Sequence, residues 1–168
     1  LLERLASVEQ RLAGGATDQA TIYDALQIKQ DILFSNPLLQ FDKLLIRKAD
    51  DPGLTSNWTS NCSRSKKKYD NELAVLSPVH PDGKLTTLYR PENDSFVGDV
   101  DLHWNADRLL FSSIGENGAW QIMEIGIDGK GLRQVTQTKE KKINNYDPCY
   151  LPDGRILFTS TASMAAVP

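Results

Sequence analysis

Cysteine is scarce in this 168-residue chain: only Cys62 and Cys149 occur. Two thiols exclude a disulfide framework and a four-thiolate zinc site within the chain. No run of about 18 apolar residues exists, so no transmembrane helix is expected. Excess charge is also lacking. With 19 basic against 22 acidic residues the net charge is −3, which gives no electrostatic case for nucleic acid or for an anionic membrane. Histidine is confined to His80 and His103, neither with a second ligand at metal spacing, so no metal site is expected. Gly-x-Ser-x-Gly is absent, and no residue is assigned a catalytic role. The 40% apolar and 24% charged content fits a folded globular chain. It opens on Leu1 and closes on Pro168 just after an apparent strand, and it reads as a fragment of a longer protein.

The first 37 residues predict a helical hairpin. Leu1, Leu5, Val8 and Leu12 recur at spacings of three and four, and Gly14-Gly15 stop that helix. Asp18 is placed to cap a second helix, over 18–35, with Ile22, Ala25, Leu26, Ile32 and Leu33 as its apolar stripe. Asn36-Pro37 ends it, because the residue before proline avoids the helical region. Leu5, Val8, Ile22, Leu26 and Leu33 are expected to be buried, with the hairpin packed on the following domain or paired with another chain.

From Phe41 onward, short strand-like runs alternate with turn signals. Pro81-Asp82-Gly83, Asp128-Gly129 and Pro152-Asp153-Gly154 read as turns whose glycines take positive φ. The chain then repeats itself. Asp101 and Asp107, followed by Arg108-Leu109-Leu110-Phe111, match Asp147 and Asp153, followed by Gly154-Arg155-Ile156-Leu157-Phe158. On this alignment Asp101 is equivalent to Asp147, and Gly154 is an extra residue that leaves the first hairpin the tighter one. Asp42-Lys43-Leu44-Leu45-Ile46 is an earlier partial copy. Trp120–Ile125 and Leu132–Thr136 match 71–76 and 85–89. A repeat of about 45 residues with four short strands is the size of a propeller blade. The expected fold is mainly β: an incomplete β-propeller over 38–168, with fewer than three four-stranded antiparallel blades, preceded by the helical hairpin of 1–37.

The unit Asp147-Pro148-Cys149-Tyr150-Leu151-Pro152-Asp153-Gly154-Arg155-Ile156-Leu157-Phe158 resembles the WD-like β-propeller repeat of the TolB type. The wider arrangement is similar to the middle propeller domain of hydrazine synthase alpha subunit-like proteins. It is carried by Ser35-Asn36-Pro37-Leu38-Leu39-Gln40-Phe41-Asp42, by Gly98-Asp99-Val100-Asp101-Leu102, and by Asn145-Tyr146-Asp147-Pro148-Cys149-Tyr150. The resemblance implies a periplasmic or secreted bacterial protein whose other domains carry c-type haem. No haem is expected on this chain, which lacks Cys-x-x-Cys-His. Its partners would be the other blades and domains of the same protein, or another protein.

Candidate binding residues are few. Asp99 and Asp101 alternate along one strand, so their carboxylates share a face, and with Asp147 they would line the mouth of a central channel. The competing assignment has these aspartates binding backbone amides between blades. His103 stands beside them. Trp58 lies in the long polar segment 50–71, whose length without structure marks a candidate binding loop. Cys149 is expected to be a buried small hydrophobe. Two functions follow: a non-catalytic scaffold, or part of a propeller enzyme or carbohydrate-binding protein with its site at the channel mouth.

Overall fold

The computed structural model describes residues 1–39, 41–50 and 69–165. Trp58, Cys62 and most of the polar segment therefore lie outside the described residues. The described chain divides into two compact units. One holds Leu1–Leu44 and Leu76–Lys84; the other holds Leu45–Val75 and Leu85–Pro168.

The first unit is built on the expected hairpin. Helix α1 spans Leu2–Ala13 and α2 spans Gln19–Phe34. Gly15, at φ +80°, takes the left-handed conformation after α1. The Asp18 carboxylate accepts from the Thr21 amide at 3.0 Å, the N-cap that the sequence predicts. The α2 stripe is not the expected one. Val8 and Ile28 are buried, together with Thr21, whereas Ile22, Leu26 and Leu33 are exposed. Leu5 is half-buried. Apolar residues occupy two neighbouring stripes of α2, and only Thr21, Ala25, Ile28 and Ile32, spaced four, three and four, run along the α1 seam. Arg4 pairs with Asp31 at 2.7 Å and Arg11 with Asp24 at 2.6 Å along one flank. Near the α2 C-terminus, Gln30 lies 3.0 Å from His80 and the Phe34 ring 5.2 Å from it. Gly83 keeps an ordinary φ, against expectation. Its requirement is space, since a Cβ there would stand 2.0 Å from the Pro78 carbonyl oxygen.

The remaining elements are antiparallel strands. They are β1 (Leu44–Lys48), β2 (Glu72–Ser77), β3 (Lys84–Tyr89), β4 (Val97–Leu102), β5 (Arg108–Ile114), β6 (Trp120–Gly126), β7 (Arg133–Gln134), β8 (Asn145–Tyr150) and β9 (Ile156–Ser160). A one-turn helix, α3 (Ala162–Ala165), follows. The sheets run β1-β2-β3, β4-β5-β6-β7 and β8-β9.

The four-stranded sheet is covered on both faces, as period-two alternation allows. On one face Leu109, Phe111 and Ile125 form a core with Leu73 and Val97, against which Leu45 and Leu88 pack. On the other face Leu110 and Ile122 pack with Tyr150, Val135 and Ile156. These interfaces are built from equivalent positions. Leu45, Leu73 and Leu88 of the first sheet correspond, in the sequence repeat, to Leu110, Ile122 and Val135 of the second. Thus β1, β2 and β3 correspond to β5, β6 and β7.

Strand register corrects the alignment of the aspartates. β4 pairs with β5 through a shift between Gly98 and Asp101, and β8 pairs with β9 through a shift between Tyr146 and Cys149. Each shift holds an aspartate in the left-handed region, Asp99 at φ 51° and Asp147 at φ 53°. Asp99, not Asp101, is therefore the structural equivalent of Asp147. The turns correct it too. His103 N–H bonds the Arg108 carbonyl, but Leu151 N–H bonds the Arg155 carbonyl, so the first hairpin is one residue longer than the second. Ala106, at φ 51°, stands where Gly154, at φ 86°, stands in the second.

Candidate functional site

The bulges decide what the aspartates do. A bulge breaks period-two alternation, so Asp99 and Asp101 are not successive same-face residues of one regular strand. The Asp101 carboxylate accepts from the Tyr150 amide at 2.8 Å. The Asp147 amide in turn donates to the Ser112 hydroxyl at 3.2 Å. Both bonds tie β8 to the neighbouring four-stranded sheet, which is the amide-binding assignment for Asp101. Asp147 is exposed as a residue, yet partial burial of its carboxyl, and secondly the Asp99 charge, raise its pKa above the ordinary carboxylate value.

His103 lies in the turn after β4, not on the strand itself. Its Nδ1 lies 3.2 Å from Asp107 Oδ1, and its Nε2 lies 2.8 Å from an Arg108 Nη. A guanidinium can only donate, so Nε2 accepts from Arg108, while Nδ1 faces both the Asn105 amide, at 3.2 Å, and Asp107. The ring meets Tyr150 edge-on at 4.8 Å.

Tyr150 and Glu124 form the most enclosed polar group beside these residues, and sequence reasoning missed both. The Tyr150 hydroxyl donates to Glu124 Oε1 at 2.9 Å. Arg133 Nε donates to Glu124 Oε2 at 2.6 Å, and Arg108 Nε lies 3.6 Å from Oε1. Arg108 also sits over the Tyr150 ring at 5.5 Å. Burial first, then the hydrogen bond and charge of Glu124, push the Tyr150 pKa well up, so the phenol remains a neutral donor. The signal was present in the sequence: Glu124 lies two residues after Ile122, placing a charge on an apolar face. Its carboxylate, bonded by Tyr150 and Arg133 and faced by Arg108, is held as a clamp between sheets.

Cys149 corrects another expectation. It is exposed, because the alternation after the bulge buries Pro148 and Tyr150 and turns the residue between them outward. Two surface hollows of the β unit, of about 440 and 400 Å³, lie around Asn117, lined by polar residues, and around Arg90, lined by polar and apolar ones. Neither includes Asp99, Asp101, His103 or Asp147. Among the described residues no three His, Cys, Asp or Glu side chains converge to hold a metal ion, and no helix is long and apolar enough to cross a membrane. The described architecture is antiparallel β-sheets with a helical hairpin. Neither a scan against models of known protein families nor a search of curated proteins returns a match.

Proposed function

We propose that this chain is a run of β-propeller blades of the TolB type, acting as a non-catalytic scaffold and protein-interaction segment of a larger exported protein. The observation that carries the reading is the repeated interface. Leu45, Leu73 and Leu88 pack the first sheet on the second, and their equivalents Leu110, Ile122 and Val135 pack the second on the third. A two-sheet sandwich has one such interface; a blade series reuses it at every step. The polar groups support a scaffold role because they join neighbouring sheets: Asp101 to Tyr150, Ser112 to Asp147, Tyr150 to Glu124. By its resemblance to hydrazine synthase alpha subunit-like proteins, the parent would be periplasmic or secreted, with c-type haem on other domains.

The test is limited proteolysis of the parent protein, followed by haem staining and oxidoreductase assay of its fragments. Haem and activity are expected only in fragments other than residues 1–168. A covalent haem spectrum or turnover from this chain alone would overturn the scaffold reading.

A second reading, a propeller enzyme or carbohydrate-binding protein, is favoured by one observation: Asp99 and Asp147 stand on equivalent bulges of neighbouring sheets, each in the left-handed region. Calorimetric titration with neutral and amino sugars decides it. Binding abolished by both Asp99→Asn and Asp147→Asn would support this reading, and no heat with any sugar would dismiss it.

A further inference from the structure

The helical hairpin carries an apolar face that is exposed among the described residues. Leu5, Leu12, Ala25, Ile32 and Leu33 line a groove of about 290 Å³ between α1 and α2. Leu12, Ile32 and Leu33 are 46%, 44% and 53% exposed, and Ile22 and Leu26 extend the stripe at 49% and 56%. Five large aliphatics on two short helices form a contiguous patch of the sort that marks an interaction surface.

The charges that line it identify the occupant. Along the opposite flank of the hairpin the ion pairs Arg4–Asp31 and Arg11–Asp24 consume their charges internally. The groove is also lined by Glu9 on α1 and Lys29 on α2, which form no ion pair among the described residues. An apolar groove lined by one unspent negative and one unspent positive side chain is complementary to itself. Under two-fold symmetry, whatever residue i meets on the partner, that residue's own copy meets i in return. Glu9 of one copy then faces Lys29 of the other, twice. Residues 1–35 hold three basic and five acidic side chains, so the hairpin lacks the cationic excess that an anionic lipid surface would select.

We propose that the α1–α2 groove is a self-association surface, on which two copies of this chain form an antiparallel four-helix bundle. The seam spacing of four and three residues on both helices is the spacing such bundles use. Helices of 12 and 16 residues are about 18 and 24 Å long, so the buried area falls at or below the about 1,200 Å² that separates weak from standard interfaces. The dimer is therefore weak, with Kd on the order of tens of micromolar. This inference is independent of the propeller reading.

Sedimentation velocity of the full chain from about 1 µM to 1 mM reads the association directly. The wild-type chain is expected to pass from monomer to dimer across that range. Leu33→Asp is expected to raise Kd at least about ten-fold, by placing a charge in the apolar centre. Glu9→Lys and Lys29→Glu, singly, are each expected to raise Kd about three- to ten-fold, and the double variant to restore it, because both contacts are rebuilt in reverse. Circular dichroism on every variant establishes that the helices persist. A monomer at every concentration would overturn the proposal, as would a dimer indifferent to the groove variants or single swaps that the double variant fails to rescue. A monomeric chain that Leu33→Asp destabilises would overturn it in favour of cover by the chain itself.

Discussion

Phe111 and Phe158 hold equivalent places in the repeat, on β5 and β9, but their surroundings differ. Phe111 is completely buried and meets the Tyr89 ring at 5.0 Å within the core formed with Leu73, Val97 and Leu109. Phe158 remains 38% exposed. Truncating Phe111 to alanine removes a fully buried ring and leaves a cavity between two sheets, which costs about 3–5 kcal/mol. Truncating Phe158 loses about three-fifths of a transfer term of roughly 2.5 kcal/mol, and water fills the space, so the cost is about 1–1.5 kcal/mol. For a chain of this size each kcal/mol lowers Tm by about 2–4 °C. Phe111→Ala should then melt about 6–20 °C below the parent, and Phe158→Ala about 2–6 °C below. Urea unfolding followed by far-UV circular dichroism gives the comparison independently. Equal costs for the two variants would refute the reasoning, since it assigns covered faces to β5 and a partly open face to β9.

Three further outcomes are expected. Asp147→Asn should stabilise the chain at neutral pH by at most about 0.5 kcal/mol, because the residue is exposed and asparagine suits the left-handed conformation. The raised pKa means that the folded carboxyl holds its proton to higher pH than the unfolded one, so stability is full at low pH and falls as pH rises through the folded value. The gain from Asn should accordingly shrink in acid thermal melts. Ala106→Gly should stabilise and Gly154→Ala destabilise, each by about 1 kcal/mol in chemical denaturation, since both positions have positive φ and no atom within 4 Å obstructs a Cβ at Gly154. Tyr150→Phe should cost about 1.5–3 kcal/mol, as it removes a hydrogen bond to a buried carboxylate; a cost below 0.5 in urea titration would contradict the clamp.

The sheets were legible because turn chemistry and period-two alternation mark strands locally. Asp128-Gly129 and Pro152-Asp153-Gly154 fall in turns, and the repeat correctly pairs Phe111 with Phe158. The bulges were not legible. An extra residue beside Asp99 or Asp147 leaves composition and local spacing almost unchanged, yet it moves the equivalence of Asp147 from Asp101 to Asp99. In α2 the wheel offered two apolar stripes, and only contact with α1 chooses Thr21 and Ile28 over Ile22 and Leu26. Glu124 shows a third kind of gap: its charge was visible, but its partners Tyr150 and Arg133 come from other strands.

The central claim is that one interface, repeated, relates successive sheets by one rotation. Ala49, Ile114 and Thr161 occupy equivalent points at the ends of β1, β5 and β9, and each is half-exposed. Spin labels placed on them in pairs report three distances by pulsed electron resonance. For blades of a four- to eight-membered ring, turned by about 45–90° per step, the 49–114 and 114–161 distances should be equal. The 49–161 distance should then be roughly 1.4–1.85 times either. Unequal steps, or a ratio near 2 as in a straight stack, would contradict the account.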